Sequence, residues 1–256
     1  MHNNHGSLES QKRIYHKLID CQVPVIIASK AVENLTKKIH LVAISGKMGS
    51  GKDTVGIRLM EKLAKDNWTQ LSFASAIKAD LNRIILICRE SDDISTAVNQ
   101  AISEGFAEDL IKALIEILFN ESKNLEIDAY TRTPVIRKSL QYWGKAMRDK
   151  KGENWWSNIL VLQIATALAE SKSILVSDAR FPHEMDLCKE LGFKTLRLEV
   201  DLIEQKSRLE KRDGVATPSI LLNDLSEIAL DTYQDFDVTI SSSDPDILST
   251  ILAKVI

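Results

Sequence analysis

The residues whose types and spacing most clearly indicate chemistry lie between Ile44 and Thr54. Gly46, Gly51 and Lys52 have the G-x-x-x-x-G-K spacing of a phosphate-binding loop, or P-loop. Glycines let backbone N–H groups turn towards phosphate oxygens, and a helix that starts at the loop directs its positive dipole end at the same anion. The lysine adds a mobile cation for the β- and γ-phosphates. This stretch therefore predicts a site for the phosphates of a nucleotide.

One position departs from the usual motif. Asp53 follows Lys52 where most such loops have a Ser or Thr that ligates Mg²⁺. Thr54 comes one place later. Either Asp53 acts on the metal through a water molecule, or Thr54 replaces the usual hydroxyl ligand. The sequence leaves both arrangements open.

A second acidic residue stands where an acid is often presented to Mg²⁺. The apolar run Ser173–Val176 is typical of a buried parallel strand, and it is followed by Ser177 and Asp178. The run 180–184, Arg-Phe-Pro-His-Glu, comes next, at the carboxyl end of the strand, where ligands bind in open α/β sheets. Asp178 is therefore a third candidate Mg²⁺ residue, acting through water.

A cationic helix face is predicted after residue 133. Thr133 is suited to be an N-cap and Pro134 to be the first helical residue. Four residues recur at intervals of three or four and share one face of this helix: Arg137, Gln141, Gly144 and Arg148. A solvated face would more often include acids for i,i+4 pairs, and there are none between Thr131 and Arg148. The face therefore suits a phosphate and a base.

More cations are predicted on a helix that follows the strand Thr195–Val200. Arg208 and Arg212 could close over a transferring phosphoryl group if this segment is mobile. The alternative is an ordinary solvated helix, which Glu204 and Glu210 favour.

Composition excludes several classes of protein. The chain has 256 residues, is 44% hydrophobic and carries a formal charge of −3, so no surface for non-specific nucleic-acid or membrane binding is expected. Cys21, Cys88 and Cys188 lack metal-ligand or disulfide spacing, which fits a reducing cytoplasm. No apolar run approaches the roughly 20 residues that span a membrane, and Met1–Ser10 lacks the core of a secretory signal. The oligomeric state is left open, a homodimer included.

The elements that must position these residues alternate between strands and helices. The apolar run Ile39–Ile44 predicts a buried strand before the loop, and Val55, Leu59 and Leu63 predict an amphipathic helix after it. This alternation indicates an α/β fold with a parallel sheet. We expect an N-terminal extension without assigned role at 1–38 and one domain at 39–256. The domain carries a helical insertion at about 89–150, whose segment 89–128 is too short for a core of its own.

Together these pieces resemble the phage-type deoxynucleoside monophosphate kinases. The similarity covers roughly residues 39–243, with 89–128 poorly matched. The matching segments are Ser45–Thr54, Ser72–Ala74 with Lys78, Arg137–Arg148, Asp178–Glu184, Ser226–Glu227 and Phe236–Asp237. The resemblance implies a three-layer P-loop kinase fold with the helical insertion on the acceptor side. It also implies transfer of the γ-phosphoryl group of ATP to a deoxynucleoside monophosphate, with Mg²⁺ and with small-molecule nucleotides as the partners.

The resemblance also implies roles for individual residues. Gly49, Ser50, Gly51, Lys52 and Asp53 would hold ATP. The acceptor nucleotide would be contacted by Lys47, Phe73, Ala74, Lys78, Arg132, Trp143, Gly144 and Arg148, beside the Arg137 and Gln141 of the predicted helix face. Charge on the transferring group would be neutralised by Lys52, Arg148, Arg208 and Arg212.

Two other functions compete with this interpretation. Animal-type phosphomevalonate kinases have a similar loop, the Trp143–Gly144 pair and a Ser-Glu before the last strand, but the run 180–184 favours the nucleotide kinase. A P-loop regulatory ATPase or switch would transfer no phosphate to a small molecule. The guanine-reading Asn-Lys-x-Asp motif of such switches does not occur, and the cationic helix face would lack a purpose.

Overall fold

The structure is a computed structural model that describes residues 7–63, 67–131, 133–214 and 222–255. The chain divides into two compact units. The first, here called the sheet unit, comprises residues 1–73 and 160–256, and the second, the helical unit, comprises residues 74–159.

The sheet unit is built on five parallel strands in the order β2-β3-β1-β4-β5. Their bounds are Leu41–Gly46 (β1), Trp68–Leu71 (β2), Ser173–Val176 (β3), Lys194–Glu199 (β4) and Val238–Ser241 (β5). All six residues of β1 are buried, as expected for the central strand of a parallel sheet. The chain leaves β1 towards β3 and β2 on one side and later returns to β4 on the other, so β1 lies at the switch point where such sheets bind ligands.

Helices flank both faces of the sheet, because successive strand residues point in opposite directions. Leu41 and Ala43 belong to one hydrophobic cluster, whereas Val42 and Ile44 belong to another. The helices of this unit are α1 (Leu8–Asp20), α2 (Val25–Asn34), α3 (Lys52–Lys62), α9 (Pro182–Glu190), α10 (Leu202–Asp213), α11 (Leu225–Ile228) and α12 (Ile247–Val255). An α/β architecture with a parallel sheet is thereby confirmed.

The N-terminal helices contribute to the core of the sheet unit. Ile14 and Leu18 of α1 are fully buried in the same cluster as Leu41 and Ala43. Asn34 at the end of α2 donates from Nδ2 to the carbonyl oxygens of Leu168 and Ala169, at 2.9 and 3.0 Å. Residues 8–35, to which the sequence assigned no role, thus help to cover the sheet.

The helical unit contains α4 (Ser75–Glu90), α5 (Ile94–Ser103), α6 (Glu108–Ser122) and α7 (Pro134–Lys151), and α8 (Trp155–Ala169) begins in it. Its own hydrophobic cluster includes Leu81, Ile111, Leu114, Ile136 and Trp143. We expected the segment 89–128 to be too short for a core. The helical unit also includes α4 and α7 and extends from residue 74 to residue 159. A unit of this size does have a hydrophobic core of its own.

Most predicted elements are confirmed. β3 has the predicted bounds Ser173–Val176, and α7 begins at Pro134. The Thr133 hydroxyl accepts the N–H of Ile136 at 3.2 Å, as an N-cap does. The sequence did not predict α5. Among the described residues, no helix has the length and apolar character needed to cross a membrane.

Candidate functional site

The segment between β1 and α3 is a tight loop whose glycines are required by its geometry. Gly49 and Gly51 have φ angles of +77° and +81°, in the left-handed region that favours glycine. A Cβ on Gly46 would lie 2.4 Å from Ser50 Oγ and 3.0 Å from the carbonyl oxygen of Leu198. Ser50 itself is buried. The glycines whose spacing predicted a phosphate-binding loop are therefore required by the backbone geometry of that loop.

Helix α10 packs directly on this loop. Gln205 Nε2 donates to the carbonyl of Met48 at 2.9 Å, and a Cβ on Gly49 would lie 3.1 Å from Leu209 Cγ. Arg208 Nη1 donates to the carbonyl oxygens of Gly49 and Ser50, each at 3.3 Å, and to Ser242 Oγ at 3.0 Å. Arg208, one of the predicted catalytic cations, thus lies beside the loop.

Lys52 is the first residue of α3, and its side chain is buried. Burial lowers its pKa, and the nearby Arg180 guanidinium lowers it further. The carboxylates of Asp53, Glu227 and Asp178 act in the opposite direction. Two cations and three carboxylates therefore surround the start of α3, where the helix dipole also favours an anion.

Arg180 is fixed at both of its ends. Its backbone N–H donates to Glu184 Oε2 at 2.7 Å, and its Nη1 pairs with Glu227 Oε1. The other oxygen of Glu227 accepts the N–H of Met48 at 2.6 Å. Glu227 thereby connects the guanidinium group to the loop.

Asp178 follows β3 and holds the segment after β2. Its Oδ1 accepts the N–H of Phe73 at 2.8 Å, and its Oδ2 accepts the Ser72 hydroxyl at 2.5 Å. β2 and β3 are neighbouring parallel strands, with Leu71 opposite Val176, so their carboxyl ends meet at one edge of the sheet. Asp178 therefore lies at the predicted edge and already accepts two hydrogen bonds.

The other candidate metal ligands lie on α3. Asp53 Oδ1 accepts the Ser177 hydroxyl at 3.2 Å, and the hydroxyl of Ser177 accepts Gln70 Nε2 at 3.0 Å. Thr54 is exposed. The described part of the chain holds no group of three or more His, Cys, Asp or Glu side chains suited to a metal. Mg²⁺ bound with phosphates needs only one or two carboxylates, so the residues present fit an ion that arrives with a nucleotide.

Lys47, predicted to contact the acceptor, is engaged in an ion pair. Its Nζ lies 2.7 Å from Asp231 Oδ2, and Arg197 Nη2 lies 3.0 Å from Asp231 Oδ1. Arg197 also donates to Ser45 Oγ at 3.0 Å. A cavity of about 720 Å³ is lined by Lys47, Arg197, Glu199, Asp231, Tyr233 and Phe236, among others. Asp231 therefore fixes the start of the loop to β4 beside this cavity.

In the helical unit, α7 presents the predicted cationic face. Arg137 and Gln141 are exposed and Arg148 is half-buried. The guanidinium groups of Arg137 and Arg148 have no ion pair with any residue that the structure describes. A Cβ on Gly144 would lie 3.7 Å from Arg148 Nη1 and 3.3 Å from Ile77 Cδ1. The face thus contains two uncommitted cations around a glycine.

The remaining predicted acceptor residues differ in their surroundings. Trp143 is buried and its Nε1 donates to Asp80 Oδ2 at 2.9 Å, so its ring is part of the core of the helical unit. Lys78 Nζ lies 4.7 Å from the centroid of the Tyr130 ring, which is largely exposed. Phe73 is buried in the sheet unit, and Ala74 immediately precedes α4.

Two further predicted residues are Arg212 and Arg132. Arg212 pairs with the adjacent Asp213 at 2.7 Å, and this hydrogen bond raises its pKa. Arg132 lies outside the described residues.

Arg180 and Glu227 were not among the predicted site residues. The signal for Arg180 was its place at the start of the run 180–184, shortly after β3 and Asp178. Glu227 stood in the matching segment Ser226–Glu227, but nothing in the sequence indicated its pairing with Met48, which is 179 positions away in the chain.

No protein-family model matches the sequence, and no curated protein matches it either.

Proposed function

We propose that this protein is a deoxynucleoside monophosphate kinase with a P-loop kinase fold, which transfers the γ-phosphoryl group of ATP to a monophosphate acceptor. The observation that supports the proposal most is the position of Lys52. Its buried ammonium group lies at the start of α3, after a loop that contains two left-handed glycines and beside the Arg180 guanidinium. Such an arrangement suits a bound polyphosphate.

The donor would be bound in the sheet unit. Backbone N–H groups of Gly49–Asp53 and the Lys52 ammonium would hold its phosphates, and Arg208 would contribute from α10. Asp53 or Thr54, together with Asp178 through water, would hold Mg²⁺, which neutralises charge on the phosphates when it is bound.

The acceptor would be bound by the exposed arginine face of α7. Arg137 and Arg148 lie 11 positions apart, which is three helical turns or about 16 Å along the axis. One phosphate cannot touch both, whereas a nucleotide with its base attached can extend along such a face past Gln141 and Gly144. Phosphates are the anions that guanidinium groups bind best, through bidentate hydrogen bonds.

The reaction requires little covalent help from the protein. A monophosphate is mostly dianionic at pH 7, because its second pKa is about 6. Its oxygen is therefore already a nucleophile, and no general base is needed. Catalysis then consists of positioning and of neutralising charge on the transferring group, for which Lys52, Arg148, Arg208 and Arg212 are the candidates.

The test is an assay of purified protein with ATP and Mg²⁺ against all deoxynucleoside and nucleoside monophosphates, with phosphomevalonate in the same panel. We expect a diphosphate product from at least one deoxynucleoside monophosphate, and none from Lys52→Ala. If phosphomevalonate were the only acceptor to be phosphorylated, the protein would instead be assigned as a phosphomevalonate kinase. ATP hydrolysis without any phosphorylated acceptor would favour a regulatory ATPase.

A further inference from the structure

Glu227 is a buried carboxylate that bridges two parts of the site. It lies on α11 and is 3% exposed. One oxygen accepts the N–H of Met48 at 2.6 Å, and the other pairs with Arg180. Burying a carboxylate is costly unless each oxygen is paired, and here both are. The arrangement fixes Arg180 to the phosphate-binding loop itself.

Only part of the Arg180 guanidinium is used in this pairing. Nη1 bonds Glu227 and lies 3.4 Å from the carbonyl oxygen of Ser226. Nε and Nη2 have no hydrogen-bond partner among the residues that the structure describes. The side chain is about one-third exposed, so a ligand can reach these nitrogens. A guanidinium group held by one nitrogen can offer its other N–H groups to a phosphate oxygen.

The neighbourhood of Arg180 identifies the kind of ligand. Burial lowers the pKa of Lys52, and the charge of Arg180 lowers it further. Lys52 begins α3 directly after the loop, and Glu227 ties Arg180 to the N–H of Met48 in the loop, so both cations lie beside it. Such a site suits an anion with several charges, such as a polyphosphate.

We propose that Glu227 is a positioning residue, which holds the Arg180 guanidinium against the loop so that its remaining N–H groups contact the terminal phosphate of the bound nucleotide. This inference rests on the proposed function, because it assumes that the loop binds ATP. It adds Arg180 to the residues that contact the donor and assigns Glu227 a role through Arg180.

The sign of the effect of Glu227→Gln distinguishes positioning from a simple charge effect. If Glu227 acted only through its negative charge, its removal would reduce repulsion and strengthen ATP binding. If Glu227 positions Arg180, removing its charge weakens ATP binding, even though the repulsion between the carboxylate and the phosphates is lost. Glutamine keeps the shape and an oxygen that can accept the N–H of Met48. Glu190→Gln, which removes the partner of Lys17 elsewhere in the sheet unit, is the matched control.

The experiment is a double-mutant cycle with Glu227→Gln, Arg180→Ala and the double variant. ATP affinity is measured by calorimetry without an acceptor, kcat by the coupled assay and folding by melting temperature. When Arg180 is present, we expect Glu227→Gln to weaken ATP binding about 10-fold and to lower kcat. In the Arg180→Ala background, we expect the same substitution to change ATP affinity and kcat by no more than about twofold. Glu227→Asp, which keeps the charge but shortens the side chain, should also weaken binding.

Three results would overturn the inference: stronger ATP binding by Glu227→Gln, an equal loss with and without Arg180, or wild-type affinity in both Glu227 variants. Failure of the proposed function is recognised separately. A wild-type protein that binds ATP but phosphorylates no nucleotide would refute the kinase assignment, while the calorimetric cycle would still decide the role of Glu227.

Discussion

The carboxylate of Asp178 holds the backbone of Phe73, whose N–H donates to Oδ1 at 2.8 Å. The two residues are separated by 105 positions in the chain, yet each lies two positions after the end of one of two neighbouring strands. Oδ2 accepts the hydroxyl of Ser72. The acid that the sequence singled out for Mg²⁺ therefore fastens the segment that leads into α4, and this structural role has to be separated by experiment from the proposed role in Mg²⁺ binding.

Asp178→Asn is expected to reduce Mg²⁺-dependent turnover by about 100-fold or more while the protein stays folded, because it removes the charge that would hold the water shell of the metal. The amide oxygen can still accept the N–H of Phe73, and its NH₂ can donate to Ser72. A Mg²⁺ titration of kcat and a melting curve measure the two effects. Ser72→Ala is the control, since it removes a hydrogen bond but no charge. If the two variants lose activity equally, the role of Asp178 is structural.

Lys52→Ala is expected to abolish nearly all turnover, by about 100-fold or more, because Lys52 would stabilise charge on phosphates that change during transfer. Its melting temperature should be no lower than that of wild type. The reason is that burial and Arg180 both disfavour the charged form of Lys52, as its lowered pKa indicates. Lys62→Ala, at an exposed position of the same helix, is the matched control for the assay. A folded Lys52→Ala variant with near wild-type turnover would refute the kinase proposal.

The features that the sequence predicted are those with local signals. The loop before α3 was visible because its glycines and lysine are within seven residues, and the start of α7 because Thr133 and Pro134 are adjacent. α5 was missed although Ala97 and Ala101 are buried and Val98 and Ile102 pack beside them at helical spacing, a pattern that the sequence did contain.

The contacts that the sequence could not predict join distant segments. Glu227 and Met48 meet only because α11 and the loop after β1 fold together, and nothing near either residue specifies the pairing. The ion pair of Lys47 with Asp231 is of the same kind, because the two residues are 184 positions apart in the chain. The sequence can predict that residues at the carboxyl ends of neighbouring strands lie near one another. It cannot predict which distant residues they bond, because that depends on how the chain packs.

Arg137→Ala is expected to raise the KM for the monophosphate about 10- to 100-fold and to leave the KM for ATP within a few-fold. Loss of a charge-assisted phosphate contact costs about 1.5–3 kcal/mol, which corresponds to that range. Steady-state kinetics with each substrate varied at saturating levels of the other measures the effect. The neighbouring Lys138→Ala, also exposed, is the control. An unchanged monophosphate KM and kcat would make the arginine face an ordinary solvated surface.

Gly144→Ala should separate function from stability. Alanine is favoured over glycine in a helix interior by about 1 kcal/mol, and the new methyl group would meet Ile77 Cδ1 at 3.3 Å, the end of a flexible side chain. We therefore expect the melting temperature to stay the same or rise slightly. Activity should fall, because the methyl group would stand beside Arg148 on the face that we propose binds the acceptor. A variant with wild-type monophosphate KM would show that nothing approaches this glycine closely.

Glu184 should make the stability of the protein depend on pH. Burial raises its pKa to about 7 from an ordinary 4.5, although the N–H groups of Arg180 and Phe181 favour the charged form. Between these two values the folded state keeps a proton that the unfolded state has released, so this contribution to stability is complete below pH 4.5 and is lost as the pH rises through 7. Glu184→Gln keeps an oxygen that can cap α9 but has no charge to titrate. The melting temperature of wild type relative to Glu184→Gln should therefore fall as the pH is raised from 5 to 8. A constant difference across that range would contradict the raised pKa and leave Glu184 as a simple helix cap.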